Sequence, residues 1–299
     1  MAAHVHARAG PLMHIQGKAT AVLVLYRALP EASVCFTSLR DCLVNDPQTG
    51  LQTLLLYDNS LEPATPPAVR IHLVYQHDAA NGGVAAAYNA GLEQARSDGS
   101  EWLLLLDQDT ALTSEYLAEL SSSMASVPPE VSAIIPRLVQ DGETHSPQTL
   151  PRLSHKSLHP SQAGLLPMRV SAFNSGAALR VSAIKRFPDR YWLDFLDHAV
   201  FHELQANGGR IWLMQARLPH SLSTQKLGED ASLQRYLNVL QAERDFYREY
   251  GSVPDALFYR LRRTKQAVGH LLKVPDKRFA LLSLRAALGL LPPTPTRAR

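Results

Sequence analysis

Two acidic side chains, Asp107 and Asp109, follow an apolar run at residues 102–106, with only Gln108 between them. In an extended chain, residues i and i+2 point to the same side, so the pair can offer two carboxylates to one cation. Such oxygen ligands suit Mg²⁺ or Mn²⁺. A second interpretation is that Asp109 caps the next helix. The apolar run favours metal binding, because adjacent carboxylates repel unless a cation or donor lies between them.

Polar residues also follow two earlier apolar runs. Residues 58–60 (Asp-Asn-Ser) follow one run, and residues 81–83 (Asn-Gly-Gly) follow the next. In an open parallel sheet, ligands bind at the carboxyl ends of the strands, where helix N-termini supply N–H donors. The three polar clusters therefore predict one cleft. The glycines alone would also fit a plain turn between a loop and a helix.

Strand-like and helix-like patterns alternate along the chain. Runs of strand length lie at residues 19–26, 51–58, 69–76, 102–106, 131–139 and 210–218. Helix patterns lie at residues 30–45, 82–99, 114–127 and 191–209, and residues 170–187 read as a strand and a short helix. Continuous apolar strands between helices indicate a mostly parallel sheet covered on both faces. The predicted fold class is α/β and Rossmann-like.

Asp194 and Asp197 lie near the start of the helix pattern at residues 191–209. Their i, i+3 spacing predicts one helical face near the positive end of the helix dipole. An ordinary N-terminal acid, favoured by the dipole, is the alternative for either residue. Residues 140–168 read as a loop rich in Pro, Ser and His.

Composition and charge narrow the class of protein. The chain has 299 residues, 45% hydrophobic and 19% charged, which is typical of a globular protein. Cys35 and Cys42 fit no metal or redox spacing, so buried thiols in a reducing compartment are expected. No signal peptide or membrane-spanning run is recognised, so the sequence predicts a cytoplasmic protein.

The C-terminal part differs in charge from the rest. Residues 258–299 contain ten Lys or Arg and one acid, Asp276, whereas the preceding chain is net acidic. We expect an N-terminal extension at residues 1–18, a catalytic domain at 19–228 and a basic helical extension at 229–299. The basic amphipathic helices fit peripheral contact with an anionic membrane, and packing on the domain or in a homo-oligomer is equally open. No motif for nucleic acid is found.

Four motifs in register, VLVLY, LLLYDNS, NGGVAAAYNAGLEQA and LLLLDQDT, resemble the nucleotide-sugar-binding half of inverting family 2 glycosyltransferases, especially rhamnosyltransferase-like members. The resemblance covers residues 19–223 and implies the GT-A fold. It implies that Asp107 and Asp109 bind the divalent ion and that His220 is a further ligand. For the donor nucleotide sugar it implies binding by Val24, Tyr26, Asp58, Asn81, Gly83, Asn89, Asp107, Asn174, Ser175 and Gly176.

On the acceptor side the same resemblance implies that Asp197 is the catalytic base, with Asp194 as the alternative. The family often has a further acid two residues after its base, where this chain has Ala199 after His198. The expected reaction is a single displacement that inverts the sugar. The donor expected from the resemblance is dTDP-rhamnose, with UDP- and GDP-sugars as alternatives, and the acceptor is a glycan or lipid-linked glycan in cell-surface polysaccharide synthesis.

Two other classes of protein are alternatives to a glycosyltransferase. A non-catalytic nucleotide-sugar-binding or scaffold protein would keep Asp58 and the acidic pair but lack a base, and the presence of Asp197 argues against it. A dinucleotide-binding dehydrogenase needs a G-x-G-x-x-G turn after the first strand. Residues 25–33, LYRALPEAS, contain no glycine, which excludes that class.

Overall fold

A computed structural model describes residues 18–46, 49–149, 157–219 and 233–294. Its strands are β1 (Ala19–Leu25), β2 (Leu51–Asp58), β3 (His72–His77), β4 (Trp102–Asp107), β5 (Val131–Gln140), β6 (Glu143–Ser146), β7 (Gln148–Thr149), β8 (Gly164–Leu165), β9 (Val170–Ser171), β10 (Ala177–Arg180) and β11 (Arg210–Pro219). Its α-helices are α1 (Val34–Asn45), α2 (Gly83–Ser97), α3 (Ser114–Ser126), α4 (Leu196–Ala206), α5 (Leu233–Tyr250), α6 (Val253–Lys273) and α7 (Arg278–Leu288).

The central sheet has the strand order β3-β2-β1-β4-β10-β5-β11-β8, and β6 pairs with β5. β1 runs parallel to β2 and β4, and β5 runs parallel to β11. The short strand β10 is antiparallel to both of its neighbours, β4 and β5. The prediction of a mixed, mostly parallel sheet is therefore confirmed.

Helices cover both faces of this sheet, which explains why its central strands are continuously apolar. β1 is buried at every position, and β4 is buried from Trp102 to Leu106. One face packs against α2, α4 and α5, and the other packs against α1 and α3. Gly91 lets α2 approach β1 closely, since a Cβ there would lie 2.8 Å from the Val22 Cβ.

The structure corrects two predicted elements. The segment 140–168, which we expected to be a loop, contains the short strands β6, β7 and β8 in its described part. The helix expected from residue 191 begins only at Leu196, because Phe195 has φ 63° and left-handed backbone interrupts a helix. Asp194 therefore precedes α4, and the inference that Asp194 and Asp197 share a helical face is wrong.

Both cysteines are free and buried, as expected for structural thiols. In the C-terminal part, α5 packs on the same core as α4, and α6 and α7 pack beside it. A buried hydroxyl pair, Tyr236 Oη and Ser283 Oγ at 2.7 Å, links α5 to α7. No helix in the described ranges has the length and apolar character that crossing a membrane requires.

Candidate active site

A cavity of about 390 Å³ opens at the carboxyl edge of β1 and β2. It contains four of the side chains or backbone positions predicted to bind the donor, namely Val24, Tyr26, Asn81 and Gly83. It is also lined by Asn59, Val84, Trp192, Leu193, Gln234, Arg235 and Asn238. Because β1 and β2 are parallel, their carboxyl ends meet at one edge, and the structure brings these distant residues together there.

The loop between β3 and α2 is organised by Asp78, which the sequence reasoning missed. The Asp78 carboxylate accepts hydrogen bonds from Gly82 N (2.8 Å), Ala80 N (3.1 Å) and Tyr57 Oη (3.0 Å). An aspartate that bonds backbone N–H groups two to four residues later is a recognised turn signal, and the sequence DAANGG carries it. This turn fixes the backbone leading to Asn81.

Gly83 brings the start of α2 against Trp192, which precedes α4. Its φ is +81°, and a Cβ would lie 2.4 Å from the Trp192 carbonyl oxygen. Ala85 N also donates to that oxygen at 3.2 Å. No other residue fits both this conformation and this close approach. The glycine is therefore more than a plain turn residue, because it joins the two sides of the cavity.

Asp58 ends β2 next to Asn59, which lines the cavity, and has no exposed surface. Its carboxylate accepts hydrogen bonds from Ser60 N at 2.9 Å and from Tyr75 Oη at 2.8 Å. Burial alone would raise the pKa of Asp58, but the hydrogen bonds from Ser60 and Tyr75 lower that pKa below its ordinary value. Asp58 is thus an ionised, fully bonded group that fixes the end of β2.

Asp107, at the end of β4, accepts hydrogen bonds from two hydroxyl groups. Tyr88 Oη on α2 donates to Oδ1 at 3.3 Å, and Ser175 Oγ donates to Oδ2. The loop that carries Ser175 is fixed by Gly176, whose N–H donates to Leu105 O at 2.9 Å. The predicted segment 174–176 therefore lies directly against the acidic pair. In that segment Asn174 Oδ1 is buried and has no hydrogen-bond partner among the described residues.

The acidic pair lies at the end of a strand followed by a turn, so the extended i, i+2 geometry ends at Asp107. Asp109 is exposed in that turn. The alternative that it caps the next helix is wrong, because the N-cap of α3 is Thr113, whose side chain accepts from Tyr116 N. Gln108, which sequence reasoning missed, accepts from Tyr26 N at 2.8 Å and thereby fixes the loop after β1.

Asp107 and Asp109 both act electrostatically on one buried thiol, Cys35. Burial raises the pKa of this thiol, and the charges of the two carboxylates raise it further. The described residues include no group of three His, Cys, Asp or Glu side chains that could bind a metal alone. Two carboxylates nevertheless fit Mg²⁺ or Mn²⁺, since such ions are commonly bound by one or two carboxylates together with substrate phosphates. His220 lies outside the described residues.

The two candidate bases lie at the start of α4. Burial raises the pKa of Asp197 to about 6. Hydrogen bonds from backbone N–H groups, including His198 N at 2.8 Å, lower this pKa but do not outweigh burial. Burial also raises the pKa of Asp194 to about 6, although Arg235 forms a salt bridge with it at 2.8 Å. Asp197 forms no salt bridge within the described ranges, so its carboxylate is the more available proton acceptor.

Tyr88, which sequence reasoning missed, lies within the electrostatic influence of both Asp107 and Asp197. Burial raises the pKa of its hydroxyl, and the charges of Asp107 and Asp197 add to that increase. Its hydroxyl therefore lies within the field of both carboxylates and donates to one of them. The only sequence signal was a tyrosine in a helix pattern otherwise rich in small residues.

Two further polar residues make buried contacts. Asn89, which we expected at the donor floor, donates to Phe187 O at 2.9 Å and accepts from Phe187 N at 2.8 Å, and so joins α2 to the segment before α4. It does not line the 390 Å³ cavity but lines a neighbouring cavity of about 1170 Å³ together with Asn81. Burial lowers the pKa of His198 to about 4, so this histidine is neutral near pH 7.

The mostly parallel sheet, with helices on both faces and acids at the carboxyl ends of β2 and β4, is the architecture expected of the GT-A fold. The family model described as "Glycosyl transferase family 2" matches residues 21–186. The chain belongs to this family and is a glycosyltransferase.

Among solved structures, the chain is similar to S. aureus TarS 1-349 in complex with UDP-GlcNAc. The TM-score is 0.56 and the identity is 15%, covering 92% of this chain and 82% of that chain. At this identity the likeness concerns the fold. The comparison with curated proteins gave no match.

Proposed function

We propose that this glycosyltransferase binds a nucleotide sugar in the 390 Å³ cavity and transfers the sugar, with inversion, to a glycan or lipid-linked acceptor in cell-surface polysaccharide synthesis. The observation that carries the proposal is Asp197, a partly buried carboxylate whose pKa is raised to about 6 and whose charge acts on the same Tyr88 hydroxyl as that of Asp107. This shared influence on one hydroxyl supports a proton acceptor near the acid that would face the donor diphosphate.

The donor that we propose is dTDP-rhamnose, on the resemblance of the motifs to rhamnosyltransferases. The apolar side chains of Val24, Val84 and Leu193 in the cavity wall suit a thymine ring with its methyl group. In this proposal Asp58 supports the nucleoside pocket from below by fixing Ser60 and Tyr75. UDP- and GDP-sugars are the alternatives, and the structure of TarS contains UDP-GlcNAc.

We propose that Asp107 and Asp109 would bind Mg²⁺ or Mn²⁺, with His220 as a further ligand. When bound, the ion would offset negative charge on the leaving nucleoside diphosphate. The protein's own contribution is to orient Asp107 through the hydroxyl groups of Tyr88 and Ser175. The Asp109→Ala variant should lower the affinity for metal in a titration, while metal affinity equal to the wild type would contradict this assignment.

Asp197 acts as the general base in this proposal. With a pKa of about 6 it is ionised near pH 7 and still basic enough to take a proton from an acceptor hydroxyl. The acceptor oxygen then attacks the anomeric carbon as the bond to the diphosphate breaks. No covalent intermediate with the enzyme is required, so no nucleophilic side chain is assigned.

The decisive experiment incubates the protein with Mn²⁺ or Mg²⁺ and a panel of dTDP-, UDP- and GDP-sugars, and follows release of the nucleoside diphosphate with and without membrane extract. We expect the fastest acceptor-dependent release from dTDP-rhamnose. Faster release from a UDP- or GDP-sugar would replace the donor assignment. Release from no donor would contradict the proposed transfer reaction.

We also propose that residues 229–299 form a helical extension that rests on an anionic membrane surface. Apolar residues lie exposed at helical spacing on α6 and α7, with exposed Lys and Arg residues near them. The apolar set comprises Leu257, Leu261, Val268, Leu272, Leu281, Leu284 and Leu288. The exposed basic set comprises Arg260, Lys265, Lys273, Lys277, Arg278 and Arg285. This combination matches a bilayer with acidic headgroups, where lipid-linked acceptors would be presented.

Cosedimentation with vesicles tests this contact. Vesicles containing phosphatidylglycerol should bind the wild type, and vesicles of phosphatidylcholine alone should bind it less. Leu272→Gln, at a side chain that is 76% exposed, should weaken binding, whereas Leu61→Gln, at an equally exposed leucine outside these helices, should not. Equal binding of all three proteins, or a stable dimer broken by Leu272→Gln, would contradict the membrane assignment.

A further inference from the structure

Two arginines lie directly opposite one another on neighbouring parallel strands, away from the donor cavity. Arg137 on β5 pairs in register with Arg217 on β11. Both line a separate cavity of about 600 Å³. Aligned residues on adjacent strands lie about 5 Å apart, so the two positive side chains repel one another unless an anion lies between them.

The hydrogen-bond acceptors of Arg137 among the described residues are neutral. It is 6% exposed, its Nη1 donates to Pro160 O at 2.7 Å, and its Nη2 donates to Gln215 Oε1 at 3.5 Å. Its pKa is lowered by burial and by the charge of Arg217, and the charge of Glu119 opposes that lowering. Neither Arg137 nor Arg217 forms a salt bridge within the part of the chain that the structure describes. Burying a guanidinium among neutral acceptors is costly, and an anionic ligand would offset that cost.

Glu119, whose charge acts on Arg137, is bonded to backbone groups. Glu119 on α3 accepts from Gln215 N at 2.7 Å and from Ala216 N at 2.8 Å. These bonds lie at the point where the pairing of β11 with β5 shifts, between Leu213 and Arg217. Such a bulge redirects the side chains that follow it. Glu119 thus holds the bulge that precedes Arg217, and beyond it Arg217 is in register with Arg137.

The rest of this cavity is polar. Its wall includes Thr144, Ser157, His159 and Ser161, which can donate hydrogen bonds, and one acid, Glu143. The guanidinium group forms two parallel hydrogen bonds with a phosphate or carboxylate, and two such groups at one cavity favour an oxyanion strongly.

In the strand order, β4 with Asp107 lies between the strands of the donor cavity and those of this second cavity. In the strand order, β2 and β1 carry the donor cavity, β4 carries Asp107, and β5 and β11 follow beyond β10. By alternation along the strands, Arg137 shares a face with Ala133 and Ile135, and Asp107 shares a face with Leu103 and Leu105. All four of these apolar residues belong to one core cluster. Two strand spacings put Arg137 about 10 Å from Asp107 along the sheet edge.

We propose that Arg137 and Arg217 form a subsite for an oxyanion of the acceptor, a phosphate or carboxylate group that the growing glycan or its lipid carrier bears beyond the hydroxyl that reacts. The assignment to the acceptor rests on the proposed function. Binding of an oxyanion at this site does not, and it can be measured without turnover.

Calorimetric titration with inorganic phosphate and, separately, with glucuronate tests the subsite at constant ionic strength. We expect one anion per chain, with affinity reduced about 10-fold or more in Arg217→Gln. Arg217 is exposed, so this variant should fold. Arg70→Gln, at an exposed arginine before β3, is the matched control and should bind like the wild type. The preferred anion distinguishes a phosphate from a carboxylate on the acceptor.

Donor binding separates this proposal from the proposed function. Arg217→Gln should bind the nucleotide sugar like the wild type and raise the KM for acceptor in membrane extract. Binding of neither anion to the wild type, or equal loss of anion binding in Arg70→Gln, would overturn the subsite. Anion binding by Arg217→Gln equal to that of the wild type would also overturn the subsite. Loss of anion binding in Arg217→Gln with an unchanged KM for acceptor would overturn its assignment to the acceptor.

Discussion

Two acids, Asp58 and Asp197, have opposite electrostatics. Asp58 accepts hydrogen bonds from Ser60 and Tyr75, which lower its pKa. Among the described residues Asp197 accepts from backbone N–H groups, and burial raises its pKa to about 6. Burial alone would raise both pKa values, so the number and strength of the hydrogen-bond donors decide the difference. The first arrangement stabilises a strand end, and the second keeps a carboxylate basic.

The largest expected effect is the loss of transfer rate when the Asp197 carboxylate is replaced. Asp197→Asn should keep donor binding and lower the transfer rate by about 10²- to 10⁴-fold, the usual contribution of a general base. Steady-state kinetics with the identified donor measure this change. Asp194→Asn is the matched control, and we expect a loss of no more than about 10-fold, because Asp194 is paired with Arg235. Wild-type turnover in Asp197→Asn would move the base to Asp194.

The second prediction tests the close contact between Gly83 and the Trp192 carbonyl, which joins the two walls of the donor cavity. Gly83→Ala places a Cβ against the Trp192 carbonyl at positive φ, and we expect it to lower the free energy of unfolding by about 3 kcal/mol and to weaken donor binding. Gly99→Ala is a control with a similar φ, +65°, and no atom within 4 Å of the added Cβ, so it should cost only about 1 kcal/mol. If urea unfolding shows the same loss of unfolding free energy in Gly83→Ala and Gly99→Ala, the Trp192 contact is unimportant.

Asp58→Asn tests the structural acid. We expect the free energy of unfolding at pH 7 to fall by about 2–3 kcal/mol, since an amide cannot accept all the bonds that the carboxylate accepts. Because the pKa of Asp58 lies below its unfolded value of 3.8, this stabilisation is complete above that value and is lost as the pH falls through the lower folded pKa. Urea unfolding should show a smaller difference in unfolding free energy between the wild type and Asp58→Asn at pH 3 than at pH 7. A difference that is the same at both pH values would contradict stabilisation by hydrogen bonds to the ionised carboxylate.

The smallest effect is a gain in stability from the inactive variant. The folded pKa of Asp197, about 6, lies above its ordinary value of 3.8, so burial of its charged form destabilises the fold most above pH 6. Asp197→Asn should therefore raise the free energy of unfolding by about 1 kcal/mol at pH 8, well below the ~3 kcal/mol that the full shift would give. The gain should vanish near pH 4. A loss of stability at pH 8 would contradict the buried-charge account.

Much of the fold follows from the sequence, because continuous apolar runs with acids at their ends predict parallel strands and their carboxyl edge. This reasoning found β1, β2 and β4 and placed Asp107 correctly at the end of β4. It identified Asp58 but could not predict its burial, which depends on Tyr75 from the neighbouring strand.

The missed features depend on tertiary contacts. The start of α4 follows from the left-handed backbone of Phe195, which no residue preference for Phe predicts. Tyr88 acquires its role only because α2 crosses the sheet beside Asp107. The pairing of Arg137 with Arg217 depends on a shift in strand register that the sequence does not display.

The pH dependence of kcat/KM for the wild-type enzyme tests the central claim most directly, since this ratio reports the essential base of the free enzyme. As the pH falls, protonation of Asp197 should inactivate the enzyme, so we expect a decline centred near pH 6. The small residual rate of Asp197→Asn should lack this decline. A wild-type profile that stays level down to about pH 4, or a decline near pH 6 that persists in Asp197→Asn, would contradict the assignment of Asp197 as the base.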